Sequence, residues 1–182
     1  IDPKGEITAQ MLLIAQRIGL SPKQVTLLDP CFRSGVPGWN PFQGDLPVAQ
    51  AVSDFVSVLK EMYSSWGPRL HDLITNAALI VASHGLSLYE LARYLHREDY
   101  REGLLRQTIQ PQNPLAYHEA RAFFQEEFGA WNRSNRTESV NPVMNKIRQM
   151  LLDQYLHPLL CSRRNTLDIP RLWQEQHLVL VH

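Results

Sequence analysis

The side chains best suited to chemistry in this sequence are arginines in polar stretches of its last third. Arg133, Arg136, Arg163 and Arg164 lie near residues typical of loops, where a guanidinium can reach a phosphate. Residues 131–171 hold 7 basic and 3 acidic side chains, a local excess of positive charge. These four arginines are therefore the candidate contacts to nucleic acid or another substrate, and solvated loop arginines are the alternative interpretation.

A second group of polar side chains opens the chain. Asp2 and Glu6, with Lys4 between them, would stand at the exit of a strand. In an open parallel sheet, ligands bind beyond the carboxyl ends of the strands. Acids at such a place can orient water or magnesium at a nucleotide, and a polar strand end explains them equally simply.

Several familiar catalytic signatures are absent from the sequence. It has no G-x-S-x-G, H-E-x-x-H or C-x-x-C motif and no G-x-x-x-x-G-K-[ST] phosphate loop. The two cysteines, Cys31 and Cys161, are too few for a disulfide framework or a zinc site, and the seven histidines are scattered. We therefore predict no enzyme activity, no metal site and no cofactor for this chain by itself.

Composition places the chain among ordinary globular proteins. Of its 182 residues, 44% are hydrophobic and 20% are charged, which is too apolar for a disordered chain. No apolar run approaches the length of a membrane span and no secretory signal is present, so we expect a cytoplasmic location and no membrane contact. The net charge is zero, which removes the composition-level argument for a nucleic-acid binder. Because the chain opens on Ile1 and stops on an apolar run, we expect it to be part of a larger protein.

One stretch resembles the first half of a helix-turn-helix. Gly85 provides a turn, Ser87 a helix cap, and Glu90 with its neighbours a short helix. The following helix would then read DNA, but it opens with Glu98 and Asp99, which face phosphates badly and suit the helix dipole.

Proline and apolar periodicity predict the elements that must position these residues. A helix over residues 7–18 and a strand over 25–28 are followed by an extended connection through residue 46. Prolines then mark helix starts, with Asn113 and Asn141 as caps before two of them. The predicted helices are 47–64, 68–83, 87–95, 98–108, 114–130, 141–155 and 169–175, before a final strand covered on both faces.

The order of elements predicts a mainly α chain. Residues 1–46 form a partial α/β segment, residues 47–176 an all-α helical domain, and residues 177–182 a returning strand. Both flanks require a sheet, so we interpret the helical part as an insertion between two strands of one parallel α/β sheet.

Short motifs in the same order along most of the chain resemble those of conjugative, type IV secretion coupling-protein ATPases of the HerA/FtsK-type DNA translocase superfamily. They are Asp2-Pro3-Lys4-Gly5-Glu6, Leu27-Leu28-Asp29-Pro30, Gly38-Trp39-Asn40-Pro41, Ser65-Trp66-Gly67-Pro68-Arg69, Asn141-Pro142-Val143-Met144-Asn145-Lys146 and the final Leu-Val-Leu-Val. The resemblance implies a RecA-like motor with an all-α insertion that recruits DNA or DNA–protein complexes for transfer. It also implies that Asp2 and Glu6 lie near the nucleotide pocket of the parent.

The resemblance stops short of an ATPase site. Walker A would precede Ile1 and Walker B would follow His182, so ATP and magnesium are implied for the parent motor and not for this segment. The remainder of the motor is then its implied partner, and the parent can be attached to the inner membrane. Two other hypotheses stay open: a helix-turn-helix DNA-binding regulator and a helical scaffold that binds only protein.

Overall fold

The computed structural model describes residues 6–29 and 36–181. In these ranges the protein is mainly α, with one small parallel sheet, as the sequence predicts. Asp2, one of the predicted nucleotide-proximal acids, lies outside the described residues, as does Cys31.

Helices occupy most of the chain between two short strands. The elements are α1 (Glu6–Arg17), β1 (Val25–Leu28), α2 (Val48–Met62), α3 (Pro68–Ser83), α4 (Leu88–His96), α5 (Glu98–Arg106), α6 (Pro114–Ala122), a π segment (Phe123–Glu127), α7 (Phe128–Ala130), α8 (Arg133–Leu152), α9 (Leu156–Leu160), α10 (Ile169–Gln174) and β2 (Leu178–Val181).

Most predicted helix starts are confirmed. Pro68 and Pro114 each occupy the first turn of a helix, where a missing N–H costs nothing. Asn113 caps α6 by accepting a hydrogen bond from the Ala116 amide at 3.1 Å. Helix α2 begins at Val48, one residue later than predicted. Pro47 is its N-cap, with a ψ of 139° that is not helical.

The predicted start of the next long helix at Asn141 is wrong. Helix α8 begins at Arg133, where the Asn132 side chain accepts a hydrogen bond from the Asn135 amide at 2.8 Å. Pro142 consequently lies inside the helix. The helix continues through the proline because Val140 and Val143, on either side of it, are buried in the core. The short helix α9 was not predicted.

The core of the helical part is built around α3. This helix packs on α2, α4, α6 and α8. Six of its side chains are completely buried: Leu73, Ile74, Ala77, Ala78, Ile80 and Val81. The buried cluster extends from Phe42 to Met150 and includes no residue of α1, β1 or β2. The helical part therefore has a hydrophobic core of its own, separate from the sheet.

The two strands pair in parallel although the whole helical part separates them. Val25 lies opposite Leu178 and Leu28 lies opposite Val181. The prediction that the final strand is covered on both faces is wrong within the described residues, because Val179 is 38% exposed. Leu27 on β1 is similarly open. The strands thus have the pattern of a buried parallel sheet without the cover that such sheets normally have.

The connections between sheet and helices run side by side, and we call residues 36–43 and 159–168 together the neck. The Gly38 amide donates to the Thr166 hydroxyl at 2.8 Å, and the Thr166 amide donates back to the Gly38 carbonyl at 2.9 Å. The Asn165 side chain bonds the Asn40 amide at 2.5 Å. A side chain at Gly38 would collide with Ser162, so this close approach requires glycine.

Candidate functional site

A groove lined by arginines lies between α5, α6, the π segment and the start of α8. Its volume is about 470 Å³, within the range of small-ligand pockets. Two acids, Glu98 and Glu102, also line it. Four arginines line it as well, twice the number of acids: Arg101, Arg106, Arg121 and Arg136. We call this feature the arginine groove.

Two of the four arginines are neutralised by the groove acids. Arg106 Nη2 lies 2.6 Å from Glu102 Oε2, one helical turn away on α5. Arg136 Nη1 lies 3.1 Å from Glu98 Oε1. Arg136 also donates to the carbonyls of Gly129 at 2.6 Å and Trp131 at 2.9 Å, which closes the connection before α8. These pairs form the outer edge of the groove.

The other two arginines have no carboxylate partner within 4.0 Å in the described part of the chain. Arg101 is only 7% exposed and donates Nη1 to the Tyr94 carbonyl at 3.2 Å. Arg121 donates Nη2 to the Leu105 carbonyl at 2.8 Å, while its Nε is buried without a partner. Burial lowers the pKa of Arg101, and the positive Arg136 adds to that effect against the opposing influence of Tyr94, Glu98 and Glu102.

Aromatic rings and the π segment shape the floor of the groove. The Arg101 guanidinium lies 4.9 Å from the centre of the Phe128 ring, and that of Arg136 lies 5.5 Å from it. The Phe128 amide donates to the Phe123 carbonyl, five residues back, which is the π-type hydrogen bond. Single π turns inside a helix occur frequently at functional sites. Phe124, inside the π segment, and Phe128, directly after it, both line the groove.

The structure places the four predicted arginines at two locations. Arg136 lines the arginine groove, and Arg133 lies three residues earlier at the exposed start of α8. Arg163 and Arg164 lie in the neck. Arg133 and Arg164 are exposed and pair with no carboxylate of the described residues. No hydrogen bond or ion pair among the described residues joins the two locations.

Arg163 has a structural contact that the sequence did not suggest. Its Nη2 lies 2.5 Å from Oε1 of Glu90, which is buried at the start of α4. The other carboxylate oxygen of Glu90 accepts from the Ser87 amide at 3.0 Å and the Ser87 hydroxyl at 2.6 Å, the side-chain-to-cap contact of a capping box. Burial raises the pKa of Glu90, but the hydrogen bonds from Ser87 and Arg163 outweigh burial and hold the pKa below its ordinary value.

Glu6, the second predicted nucleotide-proximal acid, is exposed at the first position of α1. Between the carboxyl ends of β1 and β2 lies a separate cavity of about 210 Å³. Its walls include Leu28, Trp39, Leu159 and Val181, so the described lining is almost entirely apolar. In the described ranges no group of three or more metal-ligating side chains could hold an ion.

Sequence reasoning missed three of the four groove arginines. Arg101, Leu104 and Leu105 are the buried positions of α5, so an arginine occupies the core-facing stripe of that helix. That mismatch between residue type and periodicity was a signal for Arg101. Arg106 and Arg121 carried no such signal, because they meet Arg101 only through the packing of α5 beside α6.

No family model, no curated protein and no solved structure matches this chain. None of the described helices is long and apolar enough to cross a membrane.

Proposed function

We propose that this chain is the all-α insertion of a RecA-like, DNA-translocating ATPase of the conjugative coupling-protein type, and that it serves as a docking surface for DNA or a DNA–protein complex. ATP and magnesium would belong to the motor that carries it, in the cytoplasm. The parallel, in-register pairing of Val25–Leu28 with Leu178–Val181 is the observation that carries the proposal. An insertion between neighbouring strands of one parallel sheet produces that pairing.

Exposed apolar surface on α1, the helix that precedes β1 in the chain, supports the same proposal. Large apolar side chains of α1 and the turn after it stand open to solvent: Ile7, Leu12, Leu13, Ile14 and Ile18. A two-stranded sheet is marginal alone, and parallel strands are normally covered by helices on both faces. Further strands and helices of a motor core would cover these side chains.

The docking role is supported by positive charge that the protein does not neutralise internally. Arg133 and Arg164 are exposed without an ion-pair partner among the described residues, and the arginine groove adds the unpaired Arg101 and Arg121. Guanidinium groups of this kind contact phosphates without reading base sequence. We therefore expect DNA binding that is weak, insensitive to sequence and sensitive to salt.

The alternatives receive less support from the geometry. Helices α4 and α5 are joined through the single residue Arg97, whereas a helix-turn-helix usually has a turn of about three or four residues. A protein-only scaffold explains neither the unpaired arginines nor the parallel strand pairing.

Fluorescence anisotropy with a labelled single-stranded and a labelled duplex oligonucleotide tests the proposal. Replacing Arg133, Arg136, Arg163 and Arg164 by Ala together is expected to weaken binding at low salt by about tenfold or more and to flatten its salt dependence. Because Arg163 and Arg136 also have structural contacts, the decisive variant is Arg133→Ala with Arg164→Ala. Its matched control is Arg17→Ala with Arg148→Ala, which removes the same charge from two other exposed positions.

Each outcome has a definite meaning. Weaker binding in the Arg133/Arg164 variant and unchanged binding in the Arg17/Arg148 variant would support the docking surface. Equal binding in both, or no DNA signal at any salt concentration, would contradict it. A footprint on one defined duplex sequence that is lost on substitutions in α5 would favour the helix-turn-helix regulator instead.

A further inference from the structure

The arginine groove contains more positive charge than its own acids can balance. Glu98 and Glu102 are each engaged by one arginine, Arg136 and Arg106 respectively. The guanidinium groups of Arg101 and Arg121 remain without a carboxylate, and Arg101 is almost completely buried. Buried charges in folded proteins are normally paired, since an unpaired one loses its hydration without compensation.

The contacts that hold these two arginines leave most of their donors free. Arg101 bonds the Tyr94 carbonyl in the last turn of α4, and Arg121 bonds the Leu105 carbonyl in the last turn of α5. Cations at helix C-termini are favourable, which explains one hydrogen bond for each side chain. A guanidinium has five N–H donors around the edge of its plane, so each contact anchors the group through one donor and leaves other N–H groups available.

Two buried polar atoms next to the groove also lack partners. The Nε of Arg121 is buried without an acceptor, and so is the hydroxyl of Tyr94, a residue that is 0% exposed. The Tyr94 ring packs edge-on against Phe124, which lines the groove, with the ring centres 4.9 Å apart. Tyr94 is not among the residues that line the groove, whereas Arg121 is, so the Arg121 Nε is a buried donor without an acceptor at the groove itself. Such donors are uncommon and indicate an acceptor that binds there.

We infer that the arginine groove binds a phosphate group, held between the guanidinium groups of Arg101 and Arg121 at the floor formed by Phe128. Phosphate oxygens accept hydrogen bonds from paired guanidinium donors in a geometry that a chloride ion cannot provide. The source of the phosphate is either the backbone of a nucleic acid or a small phosphorylated molecule. The site itself does not depend on the proposed function; only a nucleic-acid source rests on it.

The first test measures thermal unfolding of the whole chain in increasing sodium pyrophosphate, against sodium chloride at matched ionic strength. We expect a saturable rise in the melting temperature with pyrophosphate only, because a ligand that binds the native state alone stabilises it. Arg121→Gln is expected to weaken pyrophosphate binding by roughly 10- to 100-fold, the effect of losing charge-assisted hydrogen bonds. Arg148→Gln, an exposed arginine on α8 outside the groove, is the matched control and should bind as the unmodified chain does.

A second variant guards against misfolding. Arg121→Lys keeps the charge but loses the planar donor fork, so it should fold normally and bind pyrophosphate with intermediate affinity. No saturable stabilisation of the unmodified chain by pyrophosphate would overturn the inference. Equal pyrophosphate affinity in a folded Arg121→Gln variant and the Arg148→Gln control would overturn it as well.

The source of the phosphate is decided by oligonucleotide anisotropy on the same variants. If Arg121→Gln also weakens binding of single-stranded DNA and pyrophosphate competes with the oligonucleotide, the groove takes the nucleic-acid backbone. If DNA binding is unchanged while pyrophosphate binding is lost, the groove takes a small phosphorylated molecule. Pyrophosphate binding without any DNA binding would support the site and refute the docking function, so the two proposals fail separately.

Discussion

Glu90 shows how one buried carboxylate can organise its surroundings. It accepts hydrogen bonds from the Ser87 amide and hydroxyl at the start of α4, and it pairs with Arg163 of the neck. Asn40 also connects the neck to the start of α4, because its side-chain amide donates to the Leu86 carbonyl at 3.1 Å. At the level of single residues, Arg163 therefore fastens the neck to the helical part, whatever else it contacts.

We expect Glu90→Gln to lower the free energy of unfolding at pH 7 by about 1–3 kcal/mol, because a charged acceptor with several donors is lost. The pKa of Glu90 is lowered in the folded protein, so its charge stabilises the fold above the ordinary value of 4.5 and ceases to do so as the pH falls through the folded pKa. The difference between the two proteins should accordingly shrink in acid. Urea unfolding at pH 7 and at about pH 3 measures it.

Glu61→Gln, at an exposed position of α2, is the matched control and should change stability little at either pH. A deficit of Glu90→Gln that stays the same from pH 7 to pH 3 would show that the carboxylate charge is not what stabilises this region.

Among the elements, α8 is unusual because it continues through an interior proline. An interior proline removes a backbone hydrogen bond and its ring presses on the preceding turn. Pro142 nevertheless lies ten residues into the helix, at an exposed position, between the buried Val140 and Val143. Burial of the residues before and after Pro142 therefore stabilises a continuous helix, although the proline by itself favours a break there.

We expect Pro142→Ala to raise the free energy of unfolding by about 1–2 kcal/mol. Alanine restores the missing N–H donor, while the greater freedom of the unfolded chain offsets part of the gain. Pro114→Ala is the matched control: it lies in the first turn of α6, where no donor is needed, so it should leave stability unchanged or slightly lower. A loss of stability in Pro142→Ala would mean that the helix is bent at this point to fit its neighbours.

The sequence predicts the elements whose local signals agree, and it does not predict the features that depend on packing between distant residues. Helix α3 and strand β1 have the predicted bounds because a proline, an apolar period and flanking turn residues all agree at those places. Helix α9 is only five residues long and contains Pro158, so it has too little periodicity to detect. The arginine groove depends on α5, α6 and α8 meeting in space, and only Arg101, on a buried stripe, left a local trace of it.

Across the whole molecule, the helical part and the sheet differ in how they are held. The helical part has a continuous core centred on α3, whereas the sheet consists of two paired strands with exposed side chains. In the neck, hydrogen bonds join the chain segment that follows β1 to the segment that precedes β2. Stability should therefore be unevenly distributed between the two regions.

Hydrogen exchange followed by mass spectrometry should reveal this difference. We expect peptides covering β1 and β2 to exchange about 100-fold or more faster than those from α3, because the strands can open without unfolding the helices. Peptides from α2, which packs directly on α3, serve as the internal control and should be protected to a similar degree as α3. Equal protection of the strands and α3 would show instead that the whole chain unfolds as one cooperative unit.

The parallel pairing of the strands also has a consequence for how the protein is made. Val25 and Leu178 are partners although 153 positions separate them along the chain. At synthesis rates of about 5–20 residues per second, the ribosome releases β1 roughly 8–30 s before β2. The helices, with their separate core, can fold within that interval. The edge of β1 that pairs with β2 therefore stays without its partner strand until nearly the last residues of this chain have been synthesised.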